Sequence, residues 1–203
     1  MRASAAVLLI LAASGCGSAS TPAAPSVPAL TGTVTDAAGD ALPRPGVAVT
    51  PDLIGATIEV SGGNLTLTVT LAPGTLSQTQ TLISAALDTD ENPGTGSPGI
   101  DSAGSDAALI GTDYVINAVA PRNSAQALIL RATGNYQFAT AGTASVSFPS
   151  ANQVRVIVPL SLLGNDDGRM KFKVACSQYL TDTTVTGITD FMPDVGLPSG
   201  VVR

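Results

Sequence analysis

IGATIEVSGGNLTLTVTL, residues 54–71, decides the fold class. Leu65, Leu67, Val69 and Leu71 fall on one face of an extended chain, and Thr66, Thr68 and Thr70 fall on the other. That is the period-two pattern of a strand with one buried face, because successive side chains of a strand point to opposite sides. Upstream, Ile54, Ala56, Ile58 and Val60 oppose Thr57 and Glu59 in the same way. The SGGN between the two runs is a turn signal, since glycine reaches the positive φ values that tight hairpins need. The stretch therefore reads as an antiparallel hairpin.

The same period continues outward. QVRVIVP (153–159) points Val154, Val156 and Val158 one way, and MKFKVAC (170–176) does so with Met170, Phe172, Val174 and Cys176, which places Lys171 and Lys173 outside. LISAALD (82–88), YVINAVA (114–120) and QALILR (126–131) are apolar on both sides, as central strands covered on both faces are. Weaker runs lie at 136–140, 144–148 and 183–189. PLSLLG (159–164) predicts one helical turn between Pro159 and Gly164. Short strands with Gly, Pro, Asn and Asp in the gaps, and no long helical period, predict an all-β fold, an antiparallel β-sandwich, with a barrel as the second choice. Aromatic residues make up 3% of the chain, too few for the aromatic girdles of an outer-membrane barrel.

The first residues carry an address rather than a fold. MRASAAVLLILAASGC has one arginine, an apolar run from Ala5 to Ala13 and small residues ending at Cys16, the pattern of a signal peptide over 1–15. The apolar run is shorter than the roughly 20 residues a membrane-spanning helix needs. Its ASGC ending resembles the bacterial lipobox, with Ala13 where leucine is usual, which implies palmitate-type acylation at Cys16 and a membrane anchor made of acyl chains. The alternative is an ordinary signal peptide cut near Ala13 or Gly15. By the same resemblance Gly17, in place of the aspartate associated with inner-membrane retention, favours the outer membrane of a Gram-negative cell. Residues 16–31 follow as a tether rich in Pro, Ser and Ala, leaving 32–203 as one domain.

Without residues 1–15 the chain keeps 8 basic against 15 acidic residues, a net charge of about −7. This argues against nucleic-acid partners, which require a basic face. The carboxylates gather at strand ends: Asp36 and Asp40, Asp52, Asp88 to Glu91, Asp101 and Asp106, Asp113, Asp166 and Asp167, and Asp190 and Asp194. NDDG (165–168) reads as a tight turn, since Asp and Asn bond their own backbone there. DTDENPGTG (88–96) packs three acids into four residues and reads either as a solvated turn or as a loop around a cation. Calcium takes six to eight oxygen ligands, and Asp88, Asp90 and Asn92 at alternate positions converge if the chain curls. It is not an EF-hand, because Pro93 and Gly99 replace the turn glycine and the closing glutamate. An acid from elsewhere, Asp113 or Asp52, would complete a site at the edge of the fold.

In order, DAAGDA, LDTDENPGTG, GTDYVI, VRVIVPLSLLGNDDGRMKFKV and TDFMPDVG resemble a group of exported bacterial β-sandwich domains, distantly like the family-nine carbohydrate-binding and DOMON folds. The resemblance spans residues 34–196 and implies a jelly-roll-like sandwich with a binding role. It also implies structural calcium, with Asp88, Asp90, Asn92 and Asp113 as the positions carried over.

The chain has no histidine, which removes Ser-His-Asp and Cys-His catalysis, His-based zinc sites and bis-His haem ligation. Cys176 falls on the inward side of its strand and reads as a small buried hydrophobe. Tyr114 reads as packing rather than as a sugar platform. The sequence thus predicts a non-enzymatic, membrane-anchored binding or interaction module, stabilised by calcium. The alternatives are a glycan-binding module or a structural accessory domain beside an envelope protein partner.

Overall fold

The computed structural model describes residues 29–99, 110–119, 126–181, 184–194 and 196–203. The expected signal peptide, Cys16 and most of the expected tether lie outside the described residues, as do Asp101 and Asp106.

The hairpin forms as its pattern requires. Strands β2 (Leu53–Ser61) and β3 (Asn64–Leu71) pair antiparallel with Ser61 opposite Asn64. Between them Gly62 and Gly63 take φ values of 54° and 77°, the left-handed pair of a two-residue hairpin turn. Leu65, Leu67, Val69 and Leu71 are buried, as are Ala56, Ile58 and Val60. Ile54 departs from its expected place. A register shift between Leu53 and Gly55 turns Leu53 fully inward and leaves Ile54 half-buried, because one extra residue in a strand swaps the faces beyond it.

Around this pair run β1 (Leu30–Thr35), β4 (Thr81–Asp88), β5 (Tyr114–Val119), β6 (Gln126–Gly134), β7 (Gln137–Ser150), β8 (Gln153–Pro159), β9 (Met170–Gln178), β10 (Asp190–Met192) and β11 (Gly200–Val202). The hydrogen-bonded order is β1-β2-β3-β8-β7-β6-β5-β4-β9-β10, with β11 also on β9, and every pairing is antiparallel. The all-β antiparallel expectation holds. The strands share one continuous sheet rather than dividing into two. That sheet nearly closes like a barrel: the Thr31 N–H donates to the Arg203 carbonyl at 3.0 Å, and the Arg203 N–H returns a bond to Thr31 at 3.1 Å. A Cβ on Gly32 would stand 2.5 Å from the Val201 carbonyl oxygen, so this seam needs glycine.

The interior is mostly aliphatic, with the fully buried ring of Phe172 flanked along β9 by Met170, Val174 and Cys176. Their inward parity is as expected. Lys173, expected outside, is buried, because β9 is central in the sheet and covered on both faces over most of its length. By contrast β6 alternates, with Leu128 and Leu130 only half-buried, so its outer face is less covered than expected. The two weak runs at 136–140 and 144–148 form one bulged strand, β7. The described part of 183–189 contributes only an isolated bridge from Val185 to Tyr179. β1 begins inside the expected tether, at Leu30 paired with Val60. The turn at 159–164 is a 3₁₀ turn, Leu160–Leu163, closed by Gly164 at φ 73°.

Two loop clusters matter for function because β9 fixes their positions. Asp88 pairs in register with Lys171 near the start of β9, and Asp190 pairs with Cys176 further along it. Five residues of extended chain separate them by roughly 17 Å.

Candidate functional site

Asp88, the last residue of β4, begins a loop that folds onto its own carboxylates. The Asn92 N–H donates to Asp88 Oδ1 at 3.1 Å and to Asp90 Oδ1 at 2.9 Å. The Thr95 hydroxyl meets both oxygens of Asp90 at 3.0 and 2.9 Å. Glu91 turns the chain with a φ of 56°. The loop returns through a bridge in which Ser97 and Thr112 exchange 2.7 Å backbone bonds. Gly111 lies beneath the loop, where a Cβ would meet the Asn92 carbonyl oxygen at 2.5 Å.

Asp113, one residue before β5, accepts from the Thr89 N–H and hydroxyl, both at 2.9 Å. One carboxylate oxygen each from Asp88, Asp90 and Asp113 lies within 4.8 Å of the others. Three of the four expected ligands therefore converge. The side-chain oxygen of Asn92, the fourth, accepts the Gly94 N–H at 3.0 Å within its own turn. Asp52, considered with Asp113 as a completing acid, sits in a different group with Asp40 and Asp190.

The basic partners here are brought in by strand pairing and the sheet's seam, not by neighbouring sequence. The Lys171 ammonium stands 3.5 Å from Asp88 Oδ2 and donates to the Glu91 carbonyl at 2.7 Å. Arg203, at the sheet's seam, pairs with Glu91, its Nη2 lying 2.7 Å from Oε2. Asp88 is fully buried, and burial pushes its carboxyl up to about 6 against the pull of Lys171, with Asp90 and Asp113 pushing the same way. Asp90 moves the other way, held below the usual carboxylate range chiefly by the Asn92 N–H. Chemically, this is a set of hard oxygen donors with one lysine already among them.

The remaining candidates fall into place around the core. The Cys176 thiol is buried against the Thr189 hydroxyl at 3.3 Å and the Pro51 carbonyl at 3.4 Å, and burial raises its pKa far above that of a reactive thiol. Tyr114 is a core residue. NDDG is a turn in which Asp166 and Asp167 accept the Gly168 and Arg169 N–H groups at 2.7 and 2.9 Å. The DAAGD, PDL and TDFMPDVG loops meet in one place, which the positions of their acids at strand ends announce only in part. No protein-family model matches the chain, and no curated protein matches it.

Proposed function

We propose that the protein is an exported, lipid-anchored module that binds rather than catalyses, with calcium holding Asp88, Asp90 and Asp113 together. The observation that carries this reading is the convergence of Asp88, Asp90 and Asp113 from β4, its following loop and the approach to β5. Backbone carbonyls and water would supply the further oxygens calcium takes. The ion would tie together the ends of two neighbouring strands and relieve the repulsion among their acids. The lipobox-like ASGC at Cys16 and the resemblance of the loop order to exported binding domains support the anchor and the role.

Two measurements test it. Calcium added to metal-stripped protein raises the melting temperature, since a ligand bound only to the folded state must stabilise it. Asp90→Asn, an exposed change, reduces that rise, and a rise equal to that of the wild type contradicts the site. Cys16→Ser moves the chain from the membrane pellet to the soluble fraction, whereas retention in the pellet contradicts the anchor.

A further inference from the structure

Five acids spread over most of the chain meet beside β2 and β10. Asp36 and Asp40 follow β1, Asp52 precedes β2, Asp190 opens β10 and Asp194 lies two residues beyond its end. Strand pairing gathers them. Thr35 lies opposite Gly55, and the Leu53 N–H donates to Asp190 Oδ2 at 2.7 Å. Oxygens of Asp40, Asp52 and Asp190 come within 4.8 Å of one another, as do oxygens of Asp36, Asp40 and Asp194, so Asp40 is common to both sets.

Acidic clusters are common without ions. What separates this one is the state of its buried oxygens. Asp52 is 6% exposed; its Oδ2 accepts the Gly39 N–H at 2.7 Å, while its Oδ1 is buried with no hydrogen-bond partner. Asp36 Oδ2 is likewise buried and unpartnered. A carboxylate oxygen withdrawn from water normally finds a donor or a cation, because leaving it bare forfeits its hydration for nothing. None of the ion pairs among the described residues includes any of these five acids. Arg44 lines the neighbouring cleft, but its guanidinium is directed to the Ile188 carbonyl, with Nε at 3.0 Å.

We propose that Asp40, Asp52 and Asp190 form a second calcium site, flanked by Asp36 and Asp194 and separate from the 88–92 loop. The donors are all oxygen, which selects a hard cation over zinc or copper. Three carboxylates, with two more in the next position, suit the high and flexible coordination number of calcium. Magnesium keeps most of its water and uses one or two carboxylates. An open cleft of about 550 Å³, bordered by Asp40, Asp190 and Asp194, gives the ion and its waters a way in.

The test is a calorimetric titration of the purified, EDTA-treated full chain with calcium chloride. The wild type is expected to bind two equivalents. Asp40→Asn, at an exposed residue whose change leaves the core untouched, is expected to lose one equivalent and keep the other, and Asp90→Asn to lose the complementary one. Asp194→Asn, also exposed, weakens the same equivalent as Asp40→Asn. Asp40→Asn titrating like the wild type overturns the second site, whatever Asp90→Asn does. Asp90→Asn titrating like the wild type while Asp40→Asn loses an equivalent overturns the 88–92 loop alone. Magnesium chloride in place of calcium gives weaker binding, and equal affinity for the two ions contradicts the assignment to calcium.

Discussion

At one end of β9, Asp88 is fully buried but has Lys171 at 3.5 Å and the Asn92 N–H at 3.1 Å, and its neighbours Asp90 and Asp113 are occupied by threonines and loop amides. Further along the same strand, Asp52 and Asp190 are nearly as buried. One oxygen of Asp52 has no partner, and no lysine or arginine among the described residues forms an ion pair with either. The crowded stretch DTDEN has the Lys171 ammonium of β9 beside it and loop donors on its carboxylates. The scattered acids have single backbone donors and, among the described residues, no ion pair. Density of carboxylates along the chain is thus a poor guide to where an ion is needed. The guide is the buried oxygen left without a partner.

The largest expected effect comes from making the first end resemble the second. Lys171→Met leaves Asp88 buried without its counter-charge, a change worth roughly 2–3 kcal/mol. At about 2–4 °C per kcal/mol for a chain of this size, the metal-free protein should melt roughly 5–10 °C lower. Its calcium-induced rise should grow, because the ion no longer competes with an ammonium. An unchanged melting temperature in thermal denaturation would show that Lys171 does not balance the loop.

Asp52→Asn runs the comparison the other way. The amide removes one charge from an uncompensated group and can still accept the Gly39 N–H. Metal-free stability should hold or rise by about 1 kcal/mol, while the equivalent of calcium held by Asp40, Asp52 and Asp190 is lost and the other remains. Loss of stability without calcium would mean that the Asp52 charge is already balanced.

The pH dependence of the metal-free chain follows from the same contrast. Asp88 and Asp190 bind protons more tightly folded than unfolded, with values pushed to about 6 and about 7 from an ordinary 3.8. Their contribution to stability is complete below the unfolded value and is lost as pH rises through 6 and 7. Melting temperatures in EDTA should therefore be a few degrees higher at pH 5 than at pH 8, a margin that saturating calcium at pH 8 recovers. Equal values at the two pH settings would place these carboxylates in ordinary surroundings.

The smallest effect concerns Cys176, whose thiol lies against Thr189 and Pro51, next to Asp190 and Asp52. In the Cys16→Ser chain, thiol reagents should label it negligibly in the native state with or without calcium, and fully in denaturant. Native labelling that calcium suppresses would reveal opening of this end.

Much of the fold was legible in the sequence, because the signals were local. The hairpin announced itself through Gly62, Gly63 and two clean alternations, and β8 and β9 through theirs. β1 was hidden by its neighbours: LTGTVT presents Gly32 inward at a crowded seam, directly after a run of Pro and Ala. β10 and β11, three residues each, are too short to carry a period. Lys173 was misplaced because alternation reports one face, and β9 is covered on both. The first acidic loop was legible as a cluster, and its three converging carboxylates were named. Its lysine was not, since Lys171 reaches the loop only through the pairing of β4 with β9. The second cluster spans Asp36 to Asp194, and nothing local links its three segments, 36–40, Asp52 and 190–194. Its convergence exists only once β1, β2, β9 and β10 are paired.

The most direct test of the second calcium site is an anomalous difference map from crystals grown in calcium, collected at a long wavelength. A peak is expected among the carboxylates of Asp40, Asp52 and Asp190, with oxygen ligands at about 2.3–2.6 Å. Density that leaves the buried oxygen of Asp52 bare, with no peak among those three side chains, would contradict it.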